Sequence, residues 1–318
     1  MKTIKKETLI KCINEVKPLN ANINNETTAG GLNIEILETI INELKDQVLF
    51  NYKDESYKYS EHNSDKAAGI KERYLISIEE INQELKTITI KDFLNYFYIK
   101  IGNIKLADLI YNLEMYFNCS TRQDCSNCLI CYAMNYEPVK SVFKSRVKNY
   151  IFKEYVIKSN SYELLTAAVK KHNFNKDVTK YNRAARERGK TEIKINDIKN
   201  LRLSEQGAIK NSDLEYIELL VIELNKVFKN LNTYTYSHDK KLIIKNVNIN
   251  RSWNLKELKQ VTSLKENVFI NYSNKEELKE IIQHARKYNI KYVVCCTDCT
   301  RCSYCKSNQK HIIICKSH

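Results

Sequence analysis

Residues 268–295 read VFINYSNKEELKEIIQHARKYNIKYVVC, and this stretch decides the fold class. Val268–Tyr272 is five residues of β-branched, aromatic and apolar character, the composition of a buried strand. Glu276 to Lys287 carries apolar residues at helical spacing among charges, and Lys291–Cys295 returns to strand character. Two strands joined by a helix of about a dozen residues form a βα unit, which implies a parallel sheet.

Working upstream, the same alternation recurs. Asn232–Tyr236 is a strand candidate, Leu214 to Phe228 an amphipathic helix, and Leu201–Leu203 a short strand. A helix is expected from about residue 138. Pro138 suits its first turn, and Val139, Val142, Phe143, Val147, Tyr150 and Ile151 recur at helical spacing. Four or five such units are visible. The expected class is therefore α/β, either a partial or irregular βα barrel or an open parallel sheet. Residues 1–97 read as a mainly helical N-terminal extension, and residues 98–318 as the α/β domain. In the extension Ile34, Ile36, Leu37, Ile40, Ile41 and Leu44 form a helical stripe, and Leu49 to Ser60 is expected to form a hairpin strand. The short tail that carries His311, Cys315 and His318 is expected to be mobile, with the two histidines as candidate extra ligands.

Composition narrows the class further. Apolar residues make up 43% of the 318, enough to bury a core and to exclude global disorder. Only six Gly and two Pro are present, so the usual turn punctuation is weak. The formal charge is 52 − 38 = +14, a balance that suits polyanion partners such as nucleic acid. The densest basic stretch runs from Lys180 to Lys194 and includes Arg183, Arg186, Arg188 and Lys190. It reads as a phosphate-contacting surface or as a solvated loop. The charged start Met1 to Thr8 is not followed by the apolar core of a secretory signal, and no apolar run is long enough for a membrane span. A cytoplasmic location is the expectation, where clustered cysteines serve as metal ligands or catalytic groups rather than disulfides.

Ten of the eleven cysteines fall in two groups. The first is Cys119, Cys125, Cys128 and Cys131; the second is Cys295, Cys296, Cys299, Cys302 and Cys305, with Cys315 further on. Cysteines separated by two residues can turn their sulfurs onto one ion or cluster. Three or four within about a dozen residues match iron–sulfur ligation, typically 4Fe-4S, better than the paired knuckles of structural zinc. Zinc remains the alternative. The expected ligands are Cys119, Cys125, Cys128 and Cys131, and Cys296, Cys299, Cys302 and Cys305. Because Cys295 and Cys296 end a strand, both groups are expected near the C-terminal ends of the parallel strands. His238, at another strand end, is a candidate site residue or a plain surface histidine.

Residues 98–318 resemble the phage and plasmid gene product 88 family. The resemblance rests on Gly102-Asn103-Ile104-Lys105-Leu106, on the cysteines ending in Cys131-Tyr132-Ala133, and on an R-x-x-N step at Arg146 and Asn149. A turn at Glu205-Gln206-Gly207-Ala208-Ile209, the strand Tyr234-Thr235-Tyr236-Ser237 and the cysteine-rich C-terminus complete the order. Ala208 stands where that family carries Asp, and Cys128 is an additional cysteine. The ending of the first group is also similar to radical S-adenosylmethionine enzymes, although the usual spacing there is C-x3-C-x2-C. That likeness implies Cys125, Cys128 and Cys131 on a reactive four-iron cluster, with Cys119 as an alternative ligand and an auxiliary cluster on the second group. Glu205 would bind the cofactor's ammonium group, and Gly207 would let the backbone approach it. The alternative function is a zinc-stabilised, non-catalytic nucleic-acid-binding protein of a mobile element, using the basic surface and some of the 21 tyrosines.

Overall fold

The computed structural model describes residues 31–51, 69–102, 107–113, 139–204, 209–237, 239, 241–295, 304–306 and 309–316. Among them, the strands are β1 (Ile99–Ile101), β2 (Leu109–Tyr111), β3 (Asn200–Leu203), β4 (Asn232–Ser237), β5 (Val247–Trp253), β6 (Val268–Tyr272), β7 (Tyr292–Val294) and β8 (Ile312–Lys316). They form one sheet in the order β1-β2-β3-β4-β5-β6-β8-β7. β1 is antiparallel to β2, and every other pairing is parallel. The protein is therefore a mixed α/β structure on an eight-stranded, mostly parallel sheet. Among the described residues, four connections between its parallel strands carry helices, within the four or five units expected, and β2, β5 and β8 are strands beyond those read from the sequence. β5, with its sequence VNINRSW, alternates Asn and Ser with apolar residues and carries no clear strand signal.

Helices α1 (Ile34–Asn51), α2 (Ile70–Leu85) and the single turn α3 (Ile90–Phe93) precede the sheet. Each of the first two buries one stripe: Leu37, Ile40, Ile41, Leu44 and Val48 in α1, and Ile70, Tyr74, Ile78, Ile81 and Leu85 in α2. The stripe read in α1 is thus present. Of the hairpin strand expected at Leu49 to Ser60, residues 49–51 instead continue the helix, and residues 52–60 lie outside the described residues. The i, i+4 bonding that began at Ile34 extends to Asn51 and overrides the aromatic alternation.

Helix α4 (Lys140–Ser159) buries Phe143, Val147, Tyr150, Ile151, Phe152, Tyr155 and Val156 around most of its circumference. A helix apolar on all sides must be covered on all sides. Here α1 and α2 cover one side, with the Tyr74 ring stacked on Phe143 at 3.9 Å, and the sheet lies on the other. Asn160, at φ 54°, ends the helix in the left-handed conformation. Helices α5 (Glu163–Lys171) and α6 (Phe174–Glu187) complete the β2-to-β3 connection. α7 (Leu214–Val227) joins β3 to β4, the single turn α8 (Leu255–Leu258) joins β5 to β6, and α9 (Lys275–Lys287) joins β6 to β7.

Helices α4, α5, α7, α8 and α9 lie on one face. Leu109, Tyr111, Leu201 and Leu203 share a core with α1, α2, α4, α5 and α7. Ile270, Ile312 and Ile314 share a second core with Leu258, Ile281 and Ala285. The reason is handedness. Right-handed crossovers that step one way across a sheet all fall on the same side. The chain reverses only at the end, when β7 returns to β8 between β6 and β7, so that right-handed connection falls on the opposite face. The tail read as mobile is thus an interior strand across residues 312–316, with Ile312, Ile313 and Ile314 all 1% exposed or less. Its signal is three consecutive isoleucines, too short a run to outweigh a chain end.

Truncating Ile314 to Ala should cost roughly 2–5 kcal/mol in denaturant unfolding, the range for a fully buried large-to-small change. A loss below about 0.5 kcal/mol, as for surface positions, would refute the placement of β8 between β6 and β7.

Candidate functional site

Side chains alternate across a strand, so the face away from the helices is fixed by register. In register across it stand Ile110, Arg202, Tyr234 and Asn248, and in the row before them Asp108, Asn200 and Asn232. Tyr236 and Asn250 follow, with Phe269, Ile313 and Cys315 further along the sheet. This face is polar where the other is apolar.

Asp108 is its anchor. The residue is 1% exposed, yet its carboxylate has three donors. Oδ1 accepts from Asn200 Nδ2 at 3.0 Å and from Lys306 Nζ at 3.1 Å, and Oδ2 accepts from the Tyr234 hydroxyl at 2.9 Å. Burial first, and the Asp108 charge second, push the Tyr234 phenol well above its ordinary range, so it stays a neutral donor. Gly102 closes the β1–β2 hairpin beside it, donating its N–H to the Asp108 carbonyl at 2.7 Å. A Cβ at Gly102 would stand 2.8 Å from Ile110 Cδ1.

Lys306 belongs to a short 3-10 turn, Tyr304–Lys306, within the β7-to-β8 return. A comb of asparagine amides holds the backbone of that turn. Asn232 and Asn248 Nδ2 both donate to the Lys306 carbonyl, the latter at 3.0 Å. Asn250 Nδ2 donates to the Cys305 carbonyl at 2.8 Å and Asn267 Nδ2 to the Tyr304 carbonyl at 2.9 Å. Asn267 Oδ1 also accepts from the N–H groups of Gln309 and His311. The amides link to one another as well, Asn248 to Asn232 at 2.9 Å and Asn267 to Asn250 at 3.2 Å. Four amide-to-carbonyl bonds at about 1 kcal/mol each are enough to fix a three-residue turn that has little core of its own.

The turn presents Cys305 to Tyr236. The two side chains are hydrogen-bonded, and burial first, then the Cys305 charge, drive the Tyr236 phenol well above its ordinary range. The Tyr236 ring carries the Arg202 guanidinium at 5.0 Å on its face and meets the Phe269 ring edge-on at 5.1 Å. A ligating thiolate here would have a hydroxyl donor, with a guanidinium just beyond it, the outer-shell support a metal-bound sulfur requires. Cys295 and Cys315 are half-buried further along the sheet, on the far side of β5 and β6, with the Cys295 N–H on the Ile314 carbonyl at 2.7 Å and Cys315 in register with Asn271.

Of the expected ligands, Cys305 is described. Cys119, Cys125, Cys128, Cys131, Cys296, Cys299 and Cys302 lie outside the described residues, as do Glu205, Gly207, His238 and His318. The described residues from which the chain enters these segments share one edge. Leu113 follows β2, Ser204 follows β3, Ser237 ends β4 and Cys295 follows β7. Ser204 ties two of these ends together, its N–H on the Tyr111 carbonyl at 2.8 Å and its hydroxyl accepting from the Leu113 N–H at 3.2 Å. Ser204 sits at φ 55°, a left-handed conformation immediately before Glu205. The Cys305 turn itself is bonded to residues in the N-terminal half of β4 and β5 and its thiol reaches Tyr236 further on, so this cysteine lies on the sheet face rather than at the strand ends. His311 Nδ1 bonds the Gln309 carbonyl at 2.7 Å. Among the described residues, no three His, Cys, Asp or Glu side chains are grouped to hold a metal ion. Among the same residues no helix is long and apolar enough to cross a membrane.

Several motif residues acquire a structural role. Asn149 accepts the Tyr98 N–H at 3.0 Å and donates to the Asn112 carbonyl at 2.5 Å, joining the start of β1 to the end of β2. The residues the sequence reading did not single out are Asp108, Arg202, Lys306 and the asparagine comb. Their signal was available: Asn is depleted in strands, yet Asn200, Asn232, Asn248 and Asn250 all lie within predominantly parallel strands. No family model, no curated protein and no solved structure matches the chain.

Replacing Lys306 with Met should leave the Asp108 charge buried without its cation and cost about 3–5 kcal/mol. The double variant Asp108→Asn with Lys306→Met should be clearly more stable than the sum of the two single losses predicts. Strict additivity in denaturant melts would mean that the pair does not interact.

Proposed function

We propose that the chain is an iron–sulfur protein of a phage or plasmid, with one cluster bound on the polar sheet face by the C-terminal cysteines. Cys305 is the reference ligand, completed by Cys296, Cys299 and Cys302 from the same return crossover. The observation that carries this reading is the Cys305 turn. A buried ion pair and four asparagine amides hold its backbone, so that its thiol meets the Tyr236 hydroxyl beneath the Arg202 guanidinium. Four amide donors on the three carbonyls of a three-residue turn are more restraint than a plain connection needs.

We further propose a second, reactive cluster on Cys125, Cys128 and Cys131, with Cys119 as the alternative ligand, in the manner of radical S-adenosylmethionine enzymes. Support comes from connectivity: the chain leaves β2 toward these cysteines and β3 toward Glu205 and Gly207, and Ser204 bonds those two strand ends to each other. Ligand segments in parallel-sheet proteins gather at that edge. When bound, a four-iron cluster with one open iron supplies one-electron chemistry to S-adenosylmethionine. Glu205 would bind the cofactor's ammonium and Gly207 would admit its backbone. The sequential order β2 to β6, with the described helices α4, α5, α7 and α8 on one face, supports reading the sheet as the wall of a partial βα barrel, and α1 and α2 as part of an extension packed on its helical layer.

Expressed and purified without oxygen in iron-rich medium, the protein should be brown and hold about four iron and four sulfide per cluster. Cys305→Ala should lose the iron of the C-terminal cluster while its thermal unfolding, set mainly by the Leu and Ile cores, moves little. A colourless protein with stoichiometric zinc and no iron would overturn the reading in favour of structural zinc. Loss of a ligand would then unfold the surrounding segment, because metal-binding free energy there is folding free energy.

A further inference from the structure

A second surface, on the helical side of the sheet, is independent of the cysteines. A groove of 610 Å³ runs between the Leu94–Tyr98 segment, the end of α5 and the outer face of α6. Five cations line it: Lys171, Lys176, Lys180, Arg183 and Arg186, against one carboxylate, Asp177, which is held by His172 Nε2 at 2.5 Å. The cations are exposed, and among the described residues Lys176, Lys180 and Arg183 make no ion pair. Arg186 has only a long contact with Glu192 at 3.6 Å. Three like charges on one helix face without an ion pair among the described residues are mutually repulsive. Such an arrangement is relieved by a polyanion.

The row has the dimensions of a strand of nucleic acid. From Lys176 to Arg186 the helix rises about 15 Å at 1.5 Å per residue. That is roughly four phosphates of a stacked strand at about 3.4 Å each. At the groove wall stands Tyr98, whose side chain is 39% exposed although its backbone N–H is fixed by Asn149. An exposed ring held on a rigid backbone beside a row of cations is the combination that binds single strands, with phosphates on the charges and a base on the ring. A lipid headgroup surface would also meet the charges, but it needs apolar side chains projecting past them, and the exposed positions of this wall are polar apart from Tyr98.

We propose that this groove binds single-stranded nucleic acid, with Lys176, Lys180, Arg183 and Arg186 on the phosphate backbone and Tyr98 stacking on a base. The proposal concerns the purified full chain with or without a metal, so it stands or falls separately from the cluster. The test is fluorescence anisotropy with a labelled oligothymidylate of about 15 nucleotides, within the site sizes of single-strand binders. Lys180→Ala, Arg183→Ala and Arg186→Ala combined should weaken binding about 10- to 100-fold. They should lower the slope of log affinity against log salt by about 2, at roughly 0.7 per lost contact. Tyr98→Ala should weaken binding about tenfold without changing that slope, and Tyr98→Phe should restore it. The comparison protein is Lys256→Ala, Lys275→Ala and Lys279→Ala combined, which removes the same three charges elsewhere and should bind within about twofold of wild type. Equal losses in the two triple variants would overturn the site in favour of bulk charge. So would undetectable oligonucleotide binding at low salt, including the case where anionic vesicles bind instead. Tighter binding of duplex than of single strand, with no effect of Tyr98→Ala, would overturn the single-strand assignment.

Discussion

Asp108 places a full negative charge where almost no water reaches it, and the polar face is organised around its neutralisation. An isolated buried carboxylate is too costly to persist, so it must be paired and hydrogen-bonded. The cation comes from Lys306, 198 residues later in the chain, and the remaining acceptor sites are filled by Asn200 and Tyr234. The energetics of such a pair are asymmetric. Its net contribution to stability is small, whereas removal of either partner is expensive. What it delivers is position: Lys306 cannot leave Asp108, and Cys305 is its covalent neighbour. The thiol is thereby aimed by a contact made at the opposite end of the α/β region.

Chain direction explains why this segment is available at all. As long as the strands advance in order, right-handed crossovers keep the described connecting helices α4, α5, α7, α8 and α9 on the apolar face. The single reversal, from β7 back to β8, sends one connection over the polar face, and that connection carries the second cysteine group. A backbone laid across a sheet face needs partners for its carbonyls. Hydrophobic packing could not supply them, and the asparagines do. Their amides reach up from the strands to the carbonyls of the Tyr304–Lys306 turn, which would otherwise lack partners. The polar face is thus a consequence of topology as much as of function.

The same division decides what was legible in the sequence. Val268–Tyr272, α7 and α9 were readable because one side of each meets a core and writes a period into the sequence. β5 was not, because it pairs on both edges yet alternates Asn248 and Asn250 toward the polar face, and Asn argues against a strand. β8 was hidden by its place near the chain end, where local signals suggest fraying and only a long-range pairing with Val268–Tyr272 makes it interior. Within the site, Cys305 could be found from spacing alone. Asp108 and Lys306 could not, since nothing local announces that a common aspartate and a common lysine meet across the fold. Tyr234 and Tyr236 stood in a noticed motif, but their two separate duties, one to Asp108 and one to Cys305, follow only from the register of β4.

The polar face and the basic groove are also joined by one helix. α6 turns Lys176, Lys180, Arg183 and Arg186 outward, while Tyr181, on its inner side, is 7% exposed and lies within the field of Asp108. Burial is the larger cause raising that phenol and the Asp108 charge the second, so Tyr181 stays neutral and packed. A helix dense in cations, three of them without an ion pair among the described residues, repels itself and gains little from its own exposed surface. What holds α6 in place is its inner face: Phe174 against Phe228 and His172, Ala185 fully buried, and Tyr181 toward the Asp108 cluster. The charge of the carboxylate that fixes Lys306 thus also reaches the inner side of the helix that presents the cations. Two surfaces of different chemistry are each free to present their functional groups because the other side of the element that carries them is committed to the core.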